Sequence, residues 1–174
     1  EIFNKKIKSV VIDYKGKQVD GNAFNIDVVK EFKATSKNPQ KRQYALYTYT
    51  NDEGNVKYII PMAGNGLWGP VWAYVALKDD QNTIDGVVFD HKSETPGLGA
   101  EITQKWFRNK FTNEPKKILD ENGEYKSIQL VKGGVKNPTH EVDAIAGSTI
   151  TSKGVSKMLQ ENFKPFMLYW NKIK

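Results

Sequence analysis

Tyr44-Ala45-Leu46-Tyr47-Thr48-Tyr49-Thr50 runs into Asn51-Asp52-Glu53-Gly54-Asn55, and the chain resumes as Val56-Lys57-Tyr58-Ile59-Ile60. Aromatic and β-branched side chains suit a pleated, half-buried surface, and the Asn/Asp/Gly cluster supplies the backbone freedom of a tight reversal. The stretch therefore predicts a β-hairpin. The pattern recurs after Pro61. A glycine-rich loop, Gly64-Asn65-Gly66-Leu67-Trp68-Gly69-Pro70, leads to a strand over Val71–Lys78, a polar turn over Asp79–Asn82 and a strand over Ile84–His91. Hairpin follows hairpin without the regular strand–helix alternation of a parallel sheet. This order predicts an α+β domain, with a largely antiparallel sheet built from hairpins and covering helices.

Toward the C-terminus, Lys92 to Gly99 forms a second glycine/proline loop, and Ile102, Trp106 and Phe107 then share one face of a helix predicted over Glu101–Phe111. Tyr125–Val131 alternates as a further strand, ended by Lys132-Gly133-Gly134. From Thr151 onward Val155, Met158, Leu159 and Phe163 recur at helical spacing, and Pro165 starts or kinks a last aromatic-rich turn. Toward the N-terminus, the short apolar clusters Val10–Ile12 and Phe24–Phe32 predict peripheral strand or helix. They lead into a polar connector over Ser36–Arg42, so residues 1–42 flank a core of residues 43–164.

The chain's 174 residues can bury one substantial core at 39% hydrophobic content, which predicts a single domain over residues 1–174. Trp68, Trp72, Trp106 and Trp170 are spread widely enough for one core to use them all. The absence of cysteine excludes disulfides, thiolate-bound zinc and cysteine-bound iron–sulfur clusters. His91 and His140 lie in no metal-binding spacing, so no metal is expected. A formal charge of +6 raises the question of an anionic partner. The lysines are scattered and form no basic arm, so nucleic acid is not expected as a partner, and a basic anion- or nucleic-acid-binding module is the alternative of another class that charge leaves open. The longest apolar run, Val71–Leu77, is too short to cross a bilayer. The sequence opens at Glu1 rather than methionine, which predicts that a segment preceded it.

Chemistry concentrates in Asp143-Ala144-Ile145-Ala146-Gly147-Ser148-Thr149-Ile150-Thr151-Ser152, where small residues and hydroxyls stand ahead of the amphipathic helix. Thr151 or Ser152 can cap that helix, and its free amides with the helix dipole favour a phosphate. Plain capping is the alternative reading. The segment resembles the flavinylation motif of the covalent FMN-binding domain family, in which a threonine ends a tetrad of small residues and carries FMN by a phosphoester. His91-Lys92-Ser93-Glu94-Thr95-Pro96-Gly97-Leu98-Gly99 resembles a second motif of that family. Gly66-Leu67-Trp68-Gly69-Pro70 is similar to the loop of its quinone-reductase branch. The three stand in the family order, and the resemblance covers Pro61 to Leu159.

The resemblance implies that Thr149 carries FMN, with Ala146, Gly147, Ser148 and Thr151 around it. Glu94, Thr95, Gly97, Leu98 and Gly99 would bind from the second loop, and Leu67 and Trp68 would cover a ring face. Lys132 is a weaker candidate for contact with the anionic flavin, and Asp143 for recognition by a flavin transferase. No residue is expected to be catalytic. The tetrad here reads Ala-Gly-Ser-Thr where the commoner family form is Ser-Gly-Ala-Thr, which leaves Ser148 as a rival hydroxyl. The function implied is one-electron relay in a Na⁺-translocating NADH:quinone reductase. The domain would face the periplasm from a bacterial inner membrane, anchored through a missing N-terminal helix and working with the other membrane subunits. The flavoprotein subunit of an Rnf-type ferredoxin:NAD⁺ oxidoreductase is the alternative. The absence of a GxGxxG fingerprint implies that the domain alone does not oxidise NADH.

Overall fold

The computed structural model describes residues 6–173. Strands β1 (Ile7–Asp13), β2 (Gln18–Val19), β3 (Gln43–Thr50), β4 (Val56–Asn65), β5 (Pro70–Leu77) and β6 (Ile84–His91) form one sheet in the order β2-β1-β3-β4-β5-β6. Every neighbouring pair in it is antiparallel. Helix α1 (Val28–Ala34) packs on β4, and the short helix α2 (Lys105–Asn109) follows β6. A two-stranded parallel ribbon, β7 (Gln129–Val131) with β8 (Glu141–Asp143), precedes the long helix α3 (Thr149–Ile173). The expected α+β architecture, an antiparallel sheet built from hairpins under covering helices, is what the chain adopts.

Strand β5 shows why the sheet holds together. Val71, Ala73, Val75 and Leu77 are buried while Trp72, Tyr74 and Ala76 face outward, the period of two expected of a strand with one covered face. The buried face meets the stripe Val155, Met158, Leu159, Phe163, Phe166 and Trp170 of α3. Edge-on ring pairs Tyr44–Phe166 at 5.9 Å and Tyr58–Trp170 at 5.2 Å lock helix to sheet. Phe89, Phe107 and Phe111 form a second aromatic knot under α2.

Several elements depart from the sequence expectation. Strand β4 runs straight through Pro61 and Gly64, so the glycine loop shrinks to the reversal between Asn65 and Pro70. Pro61 is tolerated because β3 pairs with β4 only as far as Ile59, and no ladder bond on that side needs its missing N–H. The helix expected over Glu101–Phe111 breaks into a 3-10 turn (Gly99–Thr103) and α2. The Thr103 hydroxyl takes the Ala100 carbonyl at 3.0 Å, and Gln104 leaves the helical region. The strand expected over Tyr125–Val131 survives only as β7, since Ser127 has φ +64° and both Lys126 and Ser127 donate their N–H to the Ile118 carbonyl. The polar connector holds a buried Arg42, whose Nε donates to Thr35 Oγ1 at 2.8 Å and whose guanidinium lies over Phe32. One core does not use all four tryptophans. Trp170 is buried, Trp72 is half-buried, and Trp68 and Trp106 stand exposed. Pro165 neither starts nor ends a helix but lies inside α3.

The join of α3 to β4 positions everything that follows. A Cβ on Gly154 would run into the Asn65 carbonyl, and one on Gly64 would lie 2.8 Å from Met158 Cβ. Only glycine at these two positions lets the helix lie directly on the strand end, which brings the helix N-terminus against the β4–β5 reversal.

Candidate functional site

Three segments converge at the end of the sheet where β4 and β6 finish and β5 begins. The β4–β5 reversal is closed by the Gly66 N–H donating to the Gly69 carbonyl at 2.7 Å. The loop after β6 runs from His91 to Gly99. The turn Ile145–Ser148 delivers α3, with the Ser148 N–H donating to the Ile145 carbonyl at 3.1 Å.

Glu94 joins all three. It is 4% exposed, and Oε1 accepts the Trp68 N–H at 2.8 Å while Oε2 accepts the Thr151 hydroxyl at 2.5 Å. Its own N–H donates to His91 Nδ1 at 3.0 Å. A buried carboxylate needs this many donors to be tolerated away from water. The carboxylate also explains two glycines: a Cβ at Gly66 would sit 2.5 Å from Oε1, and one at Gly99 would overlap Oε2. Ser93 Oγ donates to the Trp68 carbonyl at 3.1 Å, so the backbone of Trp68 is held on both sides.

Between the segments lies a pocket of about 220 Å³ lined by Leu67, Glu94, Thr95, Leu98, Gly99, Gly147, Ser148, Thr149, Ile150 and Thr151. Roomier depressions exist, of about 390 Å³ beside Trp72 and Tyr74 and of about 600 Å³ beside Asp120 and His140. Neither is lined by all three converging segments: the first takes only Pro70 and Lys92 from them, and the second takes none. Gly147, at φ +73°, keeps the turn close under Leu98, whose Cδ2 would lie 2.8 Å from an added Cβ. Leu67, Leu98 and Ile150 are 45%, 40% and 56% exposed, so the pocket has apolar walls that none of the described residues covers.

Helix α3 begins two residues earlier than its periodicity suggests. Its first intrahelical bond runs from the Ser152 N–H to the Ser148 carbonyl at 2.9 Å, so the amides of Thr149, Ile150 and Thr151 have no acceptor within the helix. The hydroxyls expected to cap the helix do other work: Thr151 donates to Glu94, and Ser152 Oγ accepts the Ile145 N–H at 3.2 Å. Thr149 is exposed beside these amides, at the positive end of a 25-residue helix. Ser148 is 5% exposed, and its hydroxyl meets no partner among the described residues.

Nine of the expected residues thus line one pocket: Leu67, Glu94, Thr95, Leu98, Gly99, Gly147, Ser148, Thr149 and Thr151. Four do not line it. Trp68 is 65% exposed with its indole in solvent, Ala146 and Gly97 are exposed in the adjoining turns, and Lys132 is exposed in the loop after β7. Asp143 is exposed at the end of β8, where its carbonyl accepts from Lys110 Nζ at 3.4 Å. Sequence reasoning missed Ile150. Its signal is an apolar side chain in the first turn of α3 that falls off the buried stripe.

The family model for the FMN-binding domain matches residues 66–164, and the chain belongs to that family. Within it the chain is similar to NqrC, a component of Na⁺-translocating NADH-quinone reductases. It is 35% identical to the Vibrio vulnificus protein over 170 residues, covering 89% of this chain and 66% of the relative. It is 36% identical to the Neisseria meningitidis protein over 132 residues, covering 74% and 50%. The chain thus spans less than two thirds of the length of these relatives. Among solved structures, the corresponding reductase component from Parabacteroides distasonis superposes with a TM-score of 0.81 at 40% identity, covering 97% of this chain and 80% of that one. NqrC of Shewanella oneidensis gives 0.79 at 29% identity, covering 99% and 86%.

The site's residues fit FMN. An isoalloxazine ring needs apolar cover, which Leu67, Leu98 and Ile150 offer, and a phosphate needs donors, which the free amides of α3 supply. Gly99 and Gly147 leave the space that side chains would fill.

Proposed function

We propose that this domain carries FMN through a phosphoester to Thr149 Oγ and relays single electrons as the NqrC component of a Na⁺-translocating NADH:quinone reductase. The observation that carries the attachment is the contrast between two neighbouring hydroxyls: Thr149 is exposed at the pocket beside unpaired helix amides, whereas Ser148 is buried. A transferase must reach its acceptor, and of the two only Thr149 can be reached. In the attachment step the Thr149 oxygen displaces AMP from FAD. One P–O bond forms, the pyrophosphate P–O bond breaks with AMP as the leaving group, and the hydroxyl proton passes to solvent in the magnesium-assisted transferase reaction. Exposed Asp143, three residues before Ala146, suits recognition by that enzyme.

Bound FMN supplies one-electron redox chemistry; the chain supplies position. The free amides at the start of α3 would hold the phosphate end, and Leu67, Leu98 and Ile150 would cover the ring. A tether at the phosphate leaves the ring electronics to the pocket, which suits a fixed relay. Similarity to NqrC supports the quinone reductase over the Rnf-type alternative. No helix among the described residues is long and apolar enough to cross a membrane. In this reading a helix ahead of Glu1 anchors the domain on the periplasmic face of the inner membrane, beside the other subunits.

Co-expression with a flavin transferase should raise the intact mass by FMN minus water, and the adduct should survive denaturation. Thr149→Val should abolish it with the fold intact, and Ser148→Ala should retain it. An adduct that persists in Thr149→Val but disappears in Ser148→Ala would move the attachment to Ser148. The flavinylated domain should accept electrons from dithionite and be reduced negligibly by NADH; rapid, saturable reduction by NADH would make it a self-sufficient dehydrogenase.

A further inference from the structure

Among the described residues three buried polar side-chain atoms lack a partner: Arg108 Nε, Ser127 Oγ and Ser148 Oγ. Of these residues only Ser148 lines the pocket that holds Thr149. A hydroxyl removed from water and given nothing in return is a cost that folded proteins rarely carry without a reason. Its position in the chain makes the lack sharper. Ser148 immediately precedes α3 and accepts the helix's first bond on its carbonyl, from the Ser152 N–H at 2.9 Å. A serine there ordinarily turns its side-chain oxygen onto an amide two or three residues ahead. Ser148 makes no such bond, so the hydroxyl and the first amides of α3 are all left unpaired beside Thr149.

We propose that the Ser148 hydroxyl is a hydrogen-bond donor to the phosphoryl oxygens of the flavin ester on Thr149, a positioning residue that is satisfied only when the cofactor is attached. The inference rests on attachment at Thr149. Its chemistry follows from the ester: a phosphodiester is an anion that accepts hydrogen bonds and donates none, so it matches a hydroxyl that has an unused proton. Ser148 immediately precedes Thr149 and lines the same pocket, which places its hydroxyl beside a group bonded to Thr149 Oγ. Where the commoner family tetrad places alanine, this donor is missing.

The test compares wild type with Ser148→Ala, each prepared without flavin and with it, by thermal melting and by the ³¹P resonance of the attached phosphate. Without flavin, Ser148→Ala should melt at the wild-type temperature or above it, because a buried unpaired hydroxyl has been removed. With flavin it should melt below wild type, and its ³¹P resonance should shift. An equal change in melting for both forms, with the ³¹P resonance unmoved, would overturn the proposal and make the hydroxyl a purely structural group. Intact mass separates this outcome from a deeper failure. Wild-type protein that takes no flavin at Thr149 overturns the attachment itself, and the Ser148 contact with it.

Discussion

The two ends of the sheet use similar turn residues and leave them in opposite states. At the end where β5 turns into β6, the turn side chains complete their own hydrogen bonds, although Ser127 Oγ beneath them has no partner among the described residues. Asp80 accepts the N–H groups of Asn82 and Thr83 at 2.9 and 2.8 Å and the Thr83 hydroxyl at 2.5 Å. Asn82 Oδ1 accepts from Ile118 and Leu119 at 2.9 and 2.8 Å, and Asp120 closes its own turn onto Asn122 and Glu124. At the Thr149 end, Leu67, Trp68, Leu98 and Ile150 stand exposed and the Ser148 hydroxyl has no partner among the described residues. The groove of about 600 Å³ belongs to the self-satisfied end, and the pocket of about 220 Å³ to the other. Exposed apolar walls beside free helix amides, more than size, mark the end built to take a ligand.

The largest expected effect comes from forcing the two ends apart in their tolerance of one methyl group. Gly154→Ala would normally gain about 1 kcal/mol from helix propensity. Here the added Cβ meets the Asn65 carbonyl, a backbone atom that cannot step aside. Overpacking of this kind costs about 2 kcal/mol or more, so the clash wins and α3 lifts from β4, taking the flavin pocket with it. Gly86→Ala in β6 has nothing within 4 Å of its Cβ and should change stability by less than about 1 kcal/mol with normal flavin loading. Denaturant melts and flavin content of the two variants measure this. A Gly154→Ala protein that is as stable as wild type would mean that the helix does not lie so close.

A smaller pair separates stability from function. Glu94→Ala leaves the Trp68 N–H and the Thr151 hydroxyl without their acceptor, and Asn82→Ala does the same to two amides at the other end. Each should cost roughly 2 kcal/mol by the unpaired-donor argument. Only Glu94→Ala should also raise the mobility and fluorescence of the bound flavin, because Glu94 ties the three loops that form its pocket. Equal flavin signals in both variants would reduce Glu94 to a structural residue.

How much of this was legible in the sequence follows from the range of the forces involved. The hairpins were legible because alternation and turn chemistry are local, as in Tyr44–Ile60. Residues of three separated motifs also line one pocket, and each motif was legible by its own glycines and hydroxyls. What local pattern could not give was tertiary competition. Thr151 reads as a cap until Glu94, 57 residues away in sequence, takes its hydroxyl. Pro61 reads as a strand end until the neighbouring strand proves not to pair there. Trp68 reads as a ring cover, and its exposed indole stands outside the pocket's lining. Ile150 escaped notice because its meaning depends on which face of α3 is left uncovered.

The smallest expected effect is a pH dependence confined to the self-satisfied end. Asp80's carboxyl is held below its ordinary value of 3.8: partial burial pushes it up, but the Thr83 hydroxyl and the N–H groups of Thr83 and Asn82, aided by the charge of Lys117, outweigh that push. A carboxyl lowered in the folded state contributes stability that is fully present above its unfolded value and is lost as pH falls through the lower folded value. Wild type should therefore lose melting temperature below pH 3.8, and Asp80→Asn should lose less over the same range. Asp27 and Glu141, held low chiefly by the backbone amides of Lys30 and Asn137, should account for part of the slope that remains. The whole difference amounts to a few degrees at most, since Asp80 is partly open to solvent. It should leave the absorption of the bound flavin untouched, because the turn that Asp80 closes lies at the opposite end of β5 and β6 from Thr149. Acid-induced loosening of the flavin that follows the Asp80→Asn difference would show that the two ends are coupled through the strands between them.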